Sequence, residues 1–310
     1  MATVVLDSKV DGETLGAQLW RWTNKHRKWV LASPALIFTI VMIGFPIGWT
    51  IYLSLTNAYG SVRSPFSFVG LHNYATALTD TDRFWPAVGR TFIFTGGALI
   101  LELAAGMGVA LLLWRPFKAQ GAIRVIVLLP FVATPVAVAM MWRLILDPNI
   151  GFANEMLSWI GIGPQPWFAS SFATLPTLIM VDVWEFTPMV AIVLLAGLSA
   201  LPNDIDEAAR IDGAGPWQRF RFVTLPLLRP VLLVAVMLRA IDALKTFDLL
   251  YTVKGPGGGS FHEAETLNIY AYTLSFQYNN FGLASAVLII FFVIILIVLG
   301  LLAVSRRTKS

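Results

Sequence analysis

The sequence contains no cysteine and little charge. Without cysteine, neither disulfides nor cysteine-ligated metal sites can form. The three histidines, His26, His72 and His262, are too scattered to have metal-ligand spacing. Charged residues are 13% of the 310 positions, about half the share found in soluble domains. We therefore expect no metal site, no cofactor bound by this chain and no soluble fold.

Apolar residues dominate the composition, at 57% of the chain with a mean hydropathy of +0.72. A helix needs about 20 mostly apolar residues to cross a bilayer. Six runs of that length predict an all-α integral membrane protein with six transmembrane helices. Prolines within the runs, such as Pro130 and Pro135, predict kinks that face protein or water. The runs are Trp29 to Leu55, Pro86 to Trp114, Ala122 to Leu146, Phe172 to Ala200, Leu228 to Tyr251 and Gly282 to Val304.

Lysine and arginine are concentrated in alternate connections between these runs. The N-terminal tail, the turn after Trp114 up to Arg124, the loop over residues 201–227 together with Arg229, and the C-terminal tail hold 15 of the 22. Cytoplasmic segments carry such an excess, so both termini are expected to be cytoplasmic. We divide the chain into a cytoplasmic tail at 1–28, which lacks the features of a cleavable signal peptide, a six-helix domain at 29–305 and a tail at 306–310. The basic residues do not form a face suited to nucleic acid.

The loop over residues 201–227 carries signals for ordered structure. Asp204 and Glu207 have the spacing of a capping box, Gly213 can end a helix in the left-handed conformation, and Pro216 suits the first turn of a second helix. The loop is therefore predicted to be a helix-turn-helix on the cytoplasmic surface.

The same loop resembles the EAA loop of binding-protein-dependent ABC importer permeases. The resemblance consists of Glu207-Ala208-Ala209, Gly213 and, after nine further residues, Val223-Thr224-Leu225-Pro226. In that family the loop is the coupling helix that seats in a cleft of the ATPase. The alternative is an amphipathic surface helix whose charges are simply solvated. The coupling residues implied by the resemblance are Glu207, Ala208, Ala209, Asp212, Gly213, Leu225 and Pro226.

Three further segments resemble the carbohydrate-importing permeases of the maltose and glycerol-phosphate type. They are Phe68–Tyr74, Gly151–Asn154 and Phe247–Tyr251, in the family's order. The chain departs from the family pattern at Lys254, where a hydroxyl residue is expected. Contact between that loop and a binding protein is therefore expected to differ.

The resemblance implies a function and a set of partners. The chain would be a non-catalytic permease subunit, with no catalytic residues. It would be a multi-pass protein of the bacterial cytoplasmic (inner) membrane, in contact with lipid. Its substrate would be a sugar or a sugar-like polyhydroxylated solute. Expected partners are a second homologous permease subunit, two copies of an ABC ATPase subunit and an extracytoplasmic substrate-binding protein. No phosphate-binding loop of the form Gly-x4-Gly-Lys-Ser/Thr occurs, so ATP and Mg²⁺ are expected on the ATPase.

Ionisable residues within the fourth and fifth runs suggest where a substrate passes. Such groups are costly in lipid and normally face the bundle interior or a cavity. Alternatively, Arg239, Asp242, Lys245 and Asp248 form a structural ladder at three-residue spacing on one helix. Glu102 and Arg143 receive no role, because they could pair, cap a helix or do neither. The substrate-path candidates are Asp182, Trp184, Glu185, Asp242, Lys245, Asp248 and Tyr251.

Two other functions compete with the permease hypothesis. An ion-coupled secondary transporter would use intramembrane carboxylates, but it leaves the loop at 201–227 unexplained. A membrane-embedded enzyme would need a nucleophile and base or a set of metal ligands, and neither pattern appears in or near the runs.

Overall fold

The computed structural model of the protein describes residues 24–61 and 65–307. Most of the predicted N-terminal tail (1–23), Arg63 and the end of the C-terminal tail (308–310) lie outside the described residues. Regular structure within the described ranges is helical, apart from two isolated antiparallel bridges, Thr56 to Phe68 and Tyr59 to Asn280. The α-helices are α1 Arg27–Ser54, α2 His72–Thr79, α3 Phe84–Trp114, α4 Gln120–Val132, α5 Pro135–Ile145, α6 Phe152–Trp159, α7 Thr174–Ser199, α8 Asn203–Ile211, α9 Pro216–Arg219, α10 Leu225–Leu244, α11 Asp248–Lys254, α12 Leu267–Phe276 and α13 Phe281–Arg307.

Five helical segments of the described chain are long and apolar enough to cross a membrane. They are α1, α3, α7, the segment Pro216–Lys254 and residues Phe281–Val304 of α13. The count becomes six if the bent pair α4 and α5 forms one span. The prediction of a mostly helical chain with several membrane-spanning segments is confirmed.

The third predicted run, Ala122 to Leu146, is not one continuous helix. It breaks between α4 and α5, whose axes differ by 93°. Ala133 and Thr134 are extended, with ψ of 151° and 140°. Pro135 explains the break, because proline disfavours helical geometry in the preceding residue and offers no N–H to continue the helix.

The fifth predicted run is also divided. The helix α10 ends at Leu244, and α11 begins at Asp248 after a short non-helical link. Asn268 donates its amide Nδ2 to the carbonyl oxygen of Lys245 at 2.8 Å, so a carbonyl freed by the helix end keeps a partner. The predicted ladder from Arg239 to Asp248 on one helix is therefore wrong beyond Asp242.

The helices α3, α7 and α10 form the core around the candidate site. At Gly106 of α3, an added Cβ would lie 2.7 Å from Cγ1 of Val190 on α7, so only glycine permits this close approach of two helices. Leu194 and Leu198 of α7 are buried together with Leu228 of α10. This packing fixes the polar residues of the three helices relative to one another.

Candidate functional site

The loop after α7 folds into the short helix α8 and a tight turn. The capping-box prediction is wrong, because Pro202 is the N-cap residue and Asp204 lies inside the first turn. The prediction for Gly213 is confirmed, since its φ is +80°. Gly213 N–H donates to the carbonyl of Arg210 at 3.0 Å, and Ala214 N–H to that of Ala209 at 2.9 Å. This pair of bonds is the Schellman motif, which satisfies carbonyls at a helix end.

The second helix of the loop runs directly into α10. Pro216 is the first residue of α9, as predicted, and Gly215 N–H donates to Oε1 of Gln218 at 2.8 Å. A π-helical turn at Phe220–Thr224 joins α9 to α10. Such turns hold one extra residue and often occur at functional sites. The predicted helix-turn-helix is present, but its second helix is the start of the next apolar helix.

Asp206 holds the two halves of the loop together. Its carboxylate accepts hydrogen bonds from Nε of Arg210 at 3.0 Å and from Nη1 of Arg219 at 2.9 Å. Arg210 is on the same helix, whereas Arg219 is on α9. This role of Asp206 was not predicted, although its four-residue spacing from Arg210 is a readable signal in the sequence.

The residues implicated in coupling differ in accessibility. Glu207, Ala208, Asp212, Gly213 and Pro226 are exposed, whereas Ala209 and Leu225 are half-buried. Leu225 packs against the core beside Leu228, which makes it part of the helix packing.

A cavity of about 1010 Å³ lies beside this loop. Its walls come from the end of α3, including Leu112 and Trp114, and from the loop itself, including Glu207 and Trp217. Trp217 is 71% exposed. The loop therefore presents an acidic side chain and an aromatic side chain next to a largely apolar concavity.

A second site lies inside the helix bundle, around Arg239. Its guanidinium donates to both carboxylate oxygens of Glu102, from Nε at 2.6 Å and from Nη2 at 2.9 Å. It also contacts Asp182 through Nη2 and donates to Asp242 through Nη1 at 3.1 Å. The guanidinium carbon lies 4.1 Å from the ring centroid of Phe186, a cation–π distance. We call Arg239, Glu102, Asp182 and Asp242 the charge cluster.

The charge cluster joins three helices, because Glu102 lies on α3, Asp182 on α7, and Arg239 and Asp242 on α10. Arg239, Glu102 and Asp182 are fully buried, while the Asp242 side chain is 50% exposed. Glu185 is buried on α7, and its Oε2 has no hydrogen-bond partner in the structure. Sequence reasoning placed Arg239 only in the alternative ladder and did not predict its pairing with Glu102.

The remaining substrate-path candidates lie apart from Arg239. Trp184 is 39% exposed and lines a separate apolar cavity of about 530 Å³ at the break between α4 and α5. Lys245 and Asp248 are exposed at the break after α10, and Tyr251 is half-buried on α11. The seven substrate-path candidates are therefore distributed over more than one part of the structure.

Lys254, the departure from the family pattern, has two partners. Its Nζ donates to the carbonyl of Phe168 at 2.8 Å and lies 2.5 Å from Oε1 of Glu263. Burial opposes ionisation of Glu263, but the hydrogen bonds from Lys254 and from backbone N–H groups outweigh it and lower the pKa of that carboxyl. The lysine thus ties α11 to two loops.

Asparagines in the other resembling segments organise backbone. Asn73 donates to the carbonyls of Ser54 and Thr56 at 2.9 and 2.8 Å. Oδ1 of Asn154 accepts from the backbone N–H of Gln165 at 3.0 Å and from the indole of Trp167 at 2.9 Å. Both segments therefore have a structural role.

Residues 102–309, more than half of the chain, match the family described as the binding-protein-dependent transport system inner membrane component. The chain belongs to this family. This permease is therefore a multi-pass inner-membrane protein of an ABC transport system.

Two named relatives cover most of the permease. The trehalose/maltose transport system permease protein MalF of Thermococcus litoralis is 35% identical over 268 residues, which are 86% of this chain and 89% of the relative. The sulfoquinovosyl glycerol transport system permease protein SmoG of Agrobacterium fabrum is 31% identical over 300 residues, 94% of this chain and 96% of the relative.

A solved structure supports the fold of the permease. A chain of a bacterial ABC transporter involved in the import of the acidic polysaccharide alginate superposes with a TM-score of 0.80 at 25% identity. The superposition covers 94% of this chain and 100% of that chain. The helical order described above is thus that of a known importer.

Proposed function

We propose that this permease carries a sugar or a sugar-like polyhydroxylated solute through the membrane, and that ATP hydrolysis on a separate ATPase drives it. The observation that carries the proposal is the direct connection between the exposed loop and the charge cluster. The chain runs from α9 through a π-helical turn into α10, which holds Arg239 and Asp242. A displacement of the loop therefore reaches the buried polar site through one polypeptide segment.

The loop at 201–227 is proposed as the docking surface for the ATPase. Exposed Glu207 can pair with a basic group of the partner, and the small Ala208 beside it permits close approach. Asp206 keeps α8 and α9 at a fixed angle, so that docking moves them together. The permease itself is non-catalytic, with ATP and Mg²⁺ bound by two ATPase copies.

The proposed membrane topology has six spans, with α4 and α5 together forming the third. Both termini and the loop at 201–227 then lie in the cytoplasm, consistent with the distribution of lysine and arginine. A second homologous permease subunit completes the translocation path, and an extracytoplasmic binding protein delivers the substrate to the opposite face.

The substrate class is inferred from the relatives and from Asp242. The named relatives transport trehalose, maltose or sulfoquinovosyl glycerol, which all carry many hydroxyl groups. Asp242 has a half-exposed carboxylate held in place by Arg239, and carboxylates accept hydrogen bonds from hydroxyls. Asp182 is assigned to positioning Arg239, because it is fully buried.

Reconstituted uptake tests this proposal. The complete complex, with both permease subunits, the ATPase and the binding protein, would be placed in liposomes with radiolabelled trehalose or maltose outside. Uptake is expected to require enclosed ATP and to persist when an uncoupler removes the proton gradient. Uptake that needs an ion gradient but no ATP would instead identify a secondary transporter.

A further inference from the structure

Four aromatic rings form a continuous row just beyond the break that ends α10. Phe247 stacks on Tyr251, with centroids 4.9 Å apart and planes 18° apart. Tyr272 of α12 lies 5.2 Å from Phe247 and 4.9 Å from Tyr251. Phe276 extends the row, with its centroid 4.7 Å from that of Tyr272. We call these four residues the aromatic row.

The aromatic row is accessible, in contrast to the buried aromatic residues of the core. Phe247, Tyr251 and Tyr272 are partly exposed, and Phe276 is 64% exposed. Phe84 and Phe94, by comparison, are each 1% exposed. The row therefore retains ring surface that the folded chain does not cover.

Polar groups border the aromatic row. Asp248 is exposed next to Phe247, and the partly exposed Asn268 lies one helical turn before Tyr272 on α12. The phenolic oxygens of Tyr251 and Tyr272 are 3.4 Å apart. Uncovered aromatic rings bordered by a carboxylate, an amide and hydroxyls suit a ligand with both apolar and hydroxylated faces.

The position of the row relates it to the charge cluster. Asp242 lies on the last turn of α10, and Thr246 in the following link donates its hydroxyl to the carbonyl of Asp242 at 3.4 Å. The loop at 201–227 is at the opposite end of α10, which is about 30 Å long. A solute that enters at the end remote from that loop would meet the row before it reaches Asp242.

We infer that the aromatic row is a stacking subsite for a pyranose ring, on which the sugar rests before it reaches the charge cluster. The ring's C–H face would lie on Tyr272 and Phe276, and its hydroxyls would reach Asp248 and Asn268. This inference rests on the proposed function, and it adds Phe247, Tyr272, Phe276 and Asn268 to the substrate path.

Substitution in the reconstituted complex tests the subsite, with radiolabelled trehalose and maltose as probes. Loss of an aromatic contact of this kind weakens binding of the ligand about tenfold. Tyr272→Ala and Phe276→Ala are therefore each expected to lower the sugar transported per ATP hydrolysed about tenfold. Tyr272→Phe, which keeps the ring, should restore most of the transport. Phe172→Ala is the matched control, because Phe172 is an aromatic residue that is 88% exposed outside the row.

Three results would overturn the subsite. One is normal transport in both alanine variants, and another is an equal loss in Phe172→Ala. The third is loss of the second permease subunit on purification of Tyr272→Ala or Phe276→Ala, which would assign the row to subunit assembly. If the unsubstituted complex transports neither sugar, the proposed substrate class fails. If the unsubstituted complex transports a sugar and one of the three results above is found, the subsite fails and the proposed function stands.

Discussion

Arg239 on α10 and Glu102 on α3 form a two-point ion pair between residues 137 positions apart in sequence. Both side chains are fully buried. Removal of one partner from such a pair leaves an uncompensated charge and costs about 3–5 kcal/mol. Glu102→Ala and Arg239→Ala are each expected to lower unfolding stability by that amount, measured by denaturant unfolding in detergent.

The double variant Glu102→Ala/Arg239→Ala supplies the control for this pair. If the two residues act as partners, the double variant should lose less stability than the sum of the single losses. Strictly additive losses would show that the pairing contributes nothing.

Asp182 and Asp242 both contact Arg239 but are predicted to behave differently on substitution. Asp242→Asn should reduce sugar transport about tenfold or more while leaving the complex assembled, because its carboxylate is half-exposed. Asp182→Asn should mainly reduce stability and yield, because this fully buried carboxylate neutralises Arg239. Uptake assays and size-exclusion profiles on the same preparations separate the two effects. Unchanged uptake in Asp242→Asn would return this residue to a purely structural role.

Glu207 is predicted to be essential for coupling. In the assembled complex, Glu207→Ala should abolish stimulation of the ATPase by the sugar-loaded binding protein while membrane insertion remains normal. Asp204→Ala is a suitable control, since Asp204 is also an exposed acidic residue of α8. Equal ATPase stimulation in both variants would rule out docking through Glu207.

Gly213 is predicted to be required because of its backbone conformation, and not because a side chain at this position would clash with neighbouring atoms. An added Cβ would have no atom within 4 Å, but φ is +80°. Only glycine, and to a lesser degree asparagine or aspartate, adopts this region readily, and other residues lose about 1–2 kcal/mol. Gly213→Val should therefore impair ATPase coupling strongly, and Gly213→Asn should retain much of it. An equally severe defect in both variants would indicate a steric requirement supplied by a partner.

Local signals in the sequence predicted several features of the fold. The lengths of the apolar runs predicted the apolar helices. Gly213 predicted the end of the first loop helix, and Pro216 predicted the start of the second. The capping box failed because Pro202 occupies the N-cap, so Asp204 lies two positions beyond it, inside the first turn of α8. The bend between α4 and α5 was anticipated only as a kink, because proline spacing does not determine an angle of 93°.

The candidate site was harder to predict because it depends on contacts distant in sequence. No periodicity connects Glu102 to Arg239, and the pair forms only through the packing of α3 against α7 and α10. The break after Leu244 carries neither glycine nor proline, so the spacing of Arg239, Asp242, Lys245 and Asp248 suggested a single helix. The residues from Glu207 to Gly213 that are proposed for coupling lie close together in sequence, so a local motif was enough to single them out.

The charge cluster also limits which parts of the permease can move. Because one guanidinium serves carboxylates from α3, α7 and α10, sliding any one of these helices would separate buried charges. We therefore expect the three helices to move as one rigid body during a transport cycle. Motion between inward and outward access is then expected to involve the segments outside this group, the bend at Ala133 and Thr134 and the link from Lys245 to Phe247.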